Sequence, residues 1–296
     1  MAIDTRPSTP ATDVPTERSQ RGRHRRLLGK VGSRTVLIFF AGLFMIPLYW
    51  MFVSAVKPTS ELAVFPPTLW PNEFVWTNFR DAVEFIPFFT YLRNTAIITA
   101  GTVLGAAISN PIIAYGFSRI SWPGRDAVFY VVIATIFIPF PVLMVALFDI
   151  FAQIGWVNTF LPLIVPMFFG NPFWIFLMRQ FFKQLPSEIS DAARVDGANE
   201  WQVFWRIILP LARPAIAVIA ILATVTAWND FLGPLIYLQD ESLYTLAIGL
   251  QFFRSLYDVE FNLLMAASAL VVLPVIVLFL IFQRSFMQGL TLGSVK

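Results

Sequence analysis

Charge is absent from long stretches of this chain. Positions 35–56, 94–118, 127–148, 150–178 and 261–283 contain no Asp, Glu, Lys or Arg, and 214–229 runs uncharged up to Asp230. Crossing a hydrocarbon core of ~30 Å takes about 20 apolar residues as a helix. Helix is also the form that satisfies every backbone group of such a segment in lipid. The pattern predicts an all-α membrane protein with six transmembrane helices, at about 35–56, 94–118, 127–148, 158–178, 214–231 and 261–283. Pro139 and Pro141 should break the third as a hinge, and Asp230 should meet water at the outer end of the fifth.

An even number of spans puts both termini on one side, and the basic residues say which. Of 21 lysines and arginines, 17 fall in segments 1–34, 119–126, 179–213 and 284–296, leaving Lys57, Arg80, Arg93 and Arg254 on the other face. The positive-inside rule makes both termini cytoplasmic. Residues 1–34, rich in Pro, Ser, Thr and Arg, read as a basic disordered tail, whose arginines hold the first helix and meet anionic lipid. A cleaved signal peptide ending at Val53-Ser54-Ala55 is the competing reading, but the apolar run is too long for a usual signal. Residues 35–296 then form one membrane domain.

Composition narrows the chemistry. The chain is 57% hydrophobic and 13% charged, with a single histidine, His24, and no cysteine. That excludes a disulfide scaffold, a thiol enzyme and a Cys/His zinc site. The net charge of +3 is confined to loops of an apolar chain and does not point to nucleic acid. No G-x-x-x-x-G-K-[ST] run is present, since Gly29-Lys30 is followed by valine.

On the outer side, residues 57–93 carry Pro58, Pro66, Pro67, Pro71 and Pro87. They predict extended chain with a short amphipathic helix around 76–85; connector and docking surface both fit. A second outer segment, 239–260, with Asp240, Glu241 and Asp258, is expected to be non-helical.

The inner segment 179–213 is the most informative. Ser187 can cap a short helix over 187–195, on which Ile189, Ala192 and Ala193 share one small apolar face. Gly197 supplies a positive-φ stop. Asn199 and Gln202 form a capping-box pattern opening a second helix, 200–208, ended by Pro210. Such an elbow suits insertion into a groove on another protein; a helical surface loop is the plainer alternative.

The run Asp191-Ala192-Ala193-Arg194-Val195-Asp196-Gly197-Ala198, followed by Phe204, Ile207, Leu209, Pro210 and Pro214, resembles the EAA loop of bacterial ABC importer permeases. Phe181-Phe182, Leu185-Pro186, Trp228-Asn229-Asp230-Phe231, Pro234-Leu235 and the C-terminal Gln283-Arg284 through Val295-Lys296 are similar to the carbohydrate-type subgroup, and to the smaller six-helix partner of maltose-type systems. Asp191 stands where Glu is usual, so a salt bridge made there is expected to be longer or absent.

The resemblance implies a non-catalytic subunit in the bacterial inner membrane. A homologous second permease would complete the pathway, two cytoplasmic ATPase subunits would bind ATP and Mg, and an extracytoplasmic binding protein would deliver a sugar. It assigns ATPase coupling to Glu188, Asp191, Ala192, Ala193, Asp196, Gly197 and Ala198. It also implies that residues 285–296 reach between the ATPases and that 239–260 contacts the binding protein. Glycerol-phosphate or a polyol stays open as the solute.

Polar groups within spans are costly and mark substrate pathways. Asn110, Asn171 and Asn229, with Trp174 and Trp228 as sugar-stacking rings, are the pathway candidates. Asn110-Pro111 and Asn171-Pro172 can equally re-satisfy backbone at helix breaks, and tryptophans can be interface anchors. An ion-coupled transporter or a membrane enzyme would need buried ionisable groups that these spans largely lack.

Overall fold

The computed structural model describes residues 17–254 and 260–292, with side chains over 32–254 and 260–283. These residues form helices and turns with no strand among them. The chain divides into two compact units, 1–51 and 52–296. The first contains most of helix α1 (Glu17–Ala55). The tail expected to be disordered over 1–34 is therefore helical from Glu17, while residues 1–16 lie outside the described part. Arg, Lys, Leu and Gln are strong helix formers, and a helix nucleated by the apolar span gains one hydrogen bond for each residue added.

In the second unit the end of α1 leads to α2 (Thr59–Leu62), α3 (Thr77–Phe85), α4 (Phe88–Ser118), α5 (Arg125–Ala134), α6 (Phe140–Gln153), α7 (Leu161–Ile164) and α8 (Pro172–Gln184). A short helix α9 (Ser187–Val195) follows, then α10 (Glu200–Val203), α11 (Leu209–Leu211), α12 (Arg213–Trp228), α13 (Leu232–Tyr237), α14 (Leu246–Gly249) and α15 (Phe261–Leu292). Four stretches are long and apolar enough to span a bilayer: 32–55, 88–118, 161–184 and 261–283. Two bent pairs, 125–153 and 200–228, bring the number to as many as six where each pair counts as one span.

Prolines explain where the spans depart from straight helices. The break expected at Pro139 and Pro141 divides the third span into α5 and α6, bent by 101° at Ile138-Pro139. A proline restricts the residue before it to extended backbone, and Ile138 has ψ 112°. The fourth span breaks at Gly170-Asn171, after a 3₁₀ stretch over Val165–Phe169. Irregular backbone at that depth must find partners inside the protein. Ser109 Oγ donates to Met167 O at 2.8 Å and Thr102 Oγ1 to Leu163 O at 3.4 Å. Gly105 permits this approach, since a Cβ there would lie 2.8 Å from the Phe168 ring.

Helix α4 packs against α8 and α12, and α12 packs against α15. Two apolar clusters lie toward opposite ends of α4. One joins Tyr115, Phe117, Trp174, Phe182, Phe204 and Ile219; the other joins Phe88, Tyr91, Trp228, Phe253 and Ala267.

The outer segments are tied down by buried polar groups. The amphipathic helix expected near 76–85 is α3, and Asn78 Nδ2 donates to Ala55 O and Lys57 O, both at 2.9 Å. Buried Lys57 bonds to Thr68, whose hydroxyl donates to Glu61. The segment 239–260, expected to be non-helical, forms 3₁₀ turns at 241–243 and 250–253 flanking α14; Asp258 lies outside the described residues. Asn94 Nδ2 donates to Ser242 O and Tyr244 O, while Thr95 Oγ1 accepts from Leu246 N. Asp230, expected in water, is half-buried and accepts from the Gly233 N–H at 3.1 Å, because α13 folds back beside it.

Candidate functional site

The elbow between α8 and α12 forms where the sequence indicates, with three changes. Ser187 opens α9 as its first residue instead of capping it; Pro186 holds the cap position and no side chain caps the helix. Gly197 has φ +85°. The Gly197 N–H donates to Arg194 O at 3.0 Å and the Ala198 N–H to Ala193 O at 3.0 Å. This pair of bonds is the glycine-terminated Schellman arrangement. Asn199 and Gln202 complete the capping box, each side chain accepting from the other's backbone N–H at 2.9 Å.

The second change lies beyond α10. Instead of a helix over 200–208 stopped by Pro210, the chain widens into a π-helical turn over Phe204–Ile208 and continues through Pro210 to Leu211. A proline cannot donate to the carbonyl four residues back and its ring crowds that carbonyl; the wider turn accommodates both. The helix direction then changes by 74° into α12.

The third change concerns the small apolar face of Ile189, Ala192 and Ala193. Ala193 is buried in the protein's own core, and Ser190 beside it is 1% exposed. Ile189, Ala192 and Val195 are exposed, as are Glu188, Asp191, Asp196 and Gly197. Spacing along a helix groups residues by face; which face a neighbouring helix covers is set by tertiary packing. The free surface of α9 is thus Ile189, Ala192 and Val195 with flanking carboxylates, and Ala198 is half-buried against the core.

Asp191, expected to pair weakly because of its short reach, makes a 2.7 Å salt bridge with Arg194 of its own helix. Arg194 also bonds to Glu200 at 2.8 Å, and Glu200 accepts from the Tyr115 hydroxyl at 2.6 Å. This chain runs from α9 through α10 into α4. The Glu200 bond is the main cause holding the Arg194 guanidinium above its ordinary pKa.

Of two arginines outside the sequence-derived candidates, Arg119 fastens the entry of the elbow to α4, and Arg179 ties α8 to the end of α4 and to α5. Arg119 Nη2 donates to Phe182 O at 2.6 Å and Leu185 O at 2.5 Å, so a cation satisfies carbonyls at the end of α8. Arg179, 6% exposed, donates to Phe117 O, pairs with Asp126 at 2.7 Å and lies 3.8 Å from the Phe129 ring centroid. The legible signal for both was a basic residue at a span boundary.

Of the pathway candidates, Asn110, Asn171 and Trp174 come together, while Trp228 and Asn229 lie elsewhere. Asn110 is fully buried; its Nδ2 donates to Ala106 O at 2.7 Å and its Oδ1 accepts from the Asn171 N–H at 2.8 Å. Asn171 in turn caps α8, accepting from Phe173 N and Trp174 N. Trp174 and Trp228 are buried in different apolar clusters, and Trp228 Nε1 donates to Val271 O at 3.1 Å. Asn229 is exposed, with Nδ2 bonded to Val225 O at 2.8 Å. Among the described residues no cluster of His, Cys, Asp and Glu has the form of a metal site.

A chain with up to six candidate spans and this elbow between α8 and α12 can be set beside known proteins. Residues 101–291 match the family described as binding-protein-dependent transport system inner membrane component. The chain belongs to that family. The permease is 33% identical over 265 residues to the arabinooligosaccharides transport system permease protein AraQ of Halalkalibacterium halodurans, covering 87% of this chain and 93% of that one. It is 33% identical over 276 residues to the lactose transport system permease protein LacG of Rhizobium radiobacter, covering 92% and 98%. Its fold matches a chain in the crystal structure of a bacterial ABC transporter involved in import of the acidic polysaccharide alginate. There the TM-score is 0.75 at 23% identity, covering 89% of this chain and 98% of that one. The permease is thus a non-catalytic inner-membrane subunit of an ABC importer, with ATP hydrolysis on a separate partner.

Proposed function

We propose that this permease forms half of the pathway of a sugar or oligosaccharide importer and is driven through α9 by a cytoplasmic ATPase. The observation that carries the coupling role is the free face of α9. Ile189, Ala192 and Val195 stand exposed on a short helix whose exit is set by Gly197 at φ +85°, and a small apolar helix face suits a groove. Ala193 supports α9 from within, and the Asp191–Arg194–Glu200–Tyr115 chain carries its displacement into α4. A homologous permease would supply the second coupling helix, an extracytoplasmic binding protein would deliver the solute, and both termini would be cytoplasmic.

The sugar class rests on the relatives, whose names specify arabinooligosaccharides and lactose. Asn229 is the exposed member of the pathway candidates. Reconstitution of the permease with its partner permease, ATPase and binding protein tests the reading. ATP hydrolysis should rise with a sugar-loaded binding protein and sugar should accumulate inside the vesicles. Uptake by the chain alone, or uptake driven by an ion gradient without ATP, would overturn it. Stimulation by glycerol-phosphate but by no sugar would keep the importer and change the solute.

A further inference from the structure

Under α9, where α4 and α8 end, lies a cavity of about 570 Å³. Its lining includes Arg119, Lys183, Arg194, Ser190, Glu188 and Asp191. Two of its polar groups are left without partners. Ser190 is 1% exposed and its hydroxyl makes no hydrogen bond; Arg119 Nε is likewise buried and unbonded. Buried polar groups are bonded in the great majority of cases, so each exception needs an explanation.

The charges lining the cavity give the sign of what would complete it. Asp191 is taken up by Arg194 at 2.7 Å. Among the described residues neither Arg119 nor Lys183 has a carboxylate within ion-pair distance. Glu188 and Asp191 are the carboxylates of the lining, set against the three cations Arg119, Lys183 and Arg194. The first turn of α9, a nine-residue helix, opens on the cavity at Ser187 and receives no side-chain cap from Pro186. Its N–H groups favour an anion.

We propose that this cavity binds a phosphate group, carried by an anionic lipid headgroup or by a soluble phosphate. A guanidinium, an ammonium, a buried hydroxyl and an uncapped helix start are together the donor set that recognises phosphate. The cavity lies at the end of the bundle where basic residues concentrate, which is the end facing the inner leaflet. A ligand held there would bridge α4, α8 and α9, and so would tie the elbow to lipid composition or to phosphate supply.

Because the chain has no cysteine, Ser187→Cys places a single thiol at the cavity. The probe is its maleimide labelling rate in the importer assembled with cysteine-free partners in nanodiscs. In phosphatidylcholine with added inorganic phosphate, or in phosphatidylglycerol without it, labelling should slow severalfold relative to phosphatidylcholine alone. Slowing in the first arm assigns a soluble phosphate, and slowing in the second a lipid headgroup. Adding Lys183→Gln or Ser190→Ala should weaken the effect about tenfold in ligand concentration, as loss of one hydrogen bond to a charged group predicts. Equal rates in every arm, or slowing that survives both variants, would overturn the proposal. So would protection that follows the ATPase subunit and ignores both anions.

Discussion

The Tyr115 hydroxyl donates a 2.6 Å hydrogen bond to Glu200 Oε2, joining the inner end of α4 to the start of the helix that leaves the elbow. Glu200 also holds Arg194, so the two residues form the joint between the exposed α9 and the packed spans. Hydrogen bonds to charged groups contribute about 1.5–3 kcal/mol. Tyr115→Phe should therefore leave membrane insertion intact while reducing sugar uptake per ATP hydrolysed. Paired uptake and ATPase assays in vesicles read this; unchanged stoichiometry would remove the joint from coupling.

Gly197→Val should cost more than about 1 kcal/mol through its positive φ alone, because a Cβ at this position meets nothing within 4 Å. Gly197→Asn, which tolerates left-handed backbone, should retain most of the activity. Retention of the ATPase on washed membranes measures the difference. Equal retention by both variants would show that the elbow's angle is immaterial.

Ala192 and Ala193 should respond in opposite ways to enlargement. Ala193→Trp forces a large ring into the core, and overpacking typically costs 1–3 kcal/mol, so the amount of folded protein should fall. Ala192→Trp projects from the exposed face; expression should stay normal while the ATPase is lost. Thermal stability and co-purification separate the two, and the reverse pattern would place the docking face on the other side of α9.

Asn110→Leu leaves the part-buried Asn171 N–H without its acceptor, at a cost of about 1–3 kcal/mol. Its apparent melting temperature should drop, with solute preference unchanged. Asn229→Ala should leave stability unaltered and change the apparent KM for the solute. A KM change confined to Asn110→Leu would move the pathway to the core of α4.

On the outer segment, the Thr68 hydroxyl first, and then the Asn72 N–H and Lys57, hold the Glu61 carboxyl below the usual carboxylate range. A depressed folded pKa contributes stability that is fully present above the unfolded value of about 4.3 and lost as pH falls through the folded one. Protease protection of residues 57–76 should therefore decline in acid. Glu61→Gln should remove that pH dependence, and identical profiles for both proteins would exclude Glu61 as the titrating group.

The apolar spans and the glycine stop were readable from the sequence because each has a local cause. A bilayer imposes a minimum length on uncharged stretches, and Gly197, Asn199 and Gln202 act on their own backbone. The basic run before Thr35 was harder to read, since its helix-forming residues gain a nucleus only from the neighbouring span.

What tertiary structure alone decided was which groups meet. Pairing of Tyr115 with Glu200 or of Asn110 with Asn171 joins residues 85 and 61 positions apart, and no periodicity specifies such pairs. The same holds for Ala193 and Ala192, equally small and adjacent, of which packing against the neighbouring helices buried one and left the other free. A sequence determines which residues share a helix face, whereas the volume left between α4, α8 and α12 determines which face is covered.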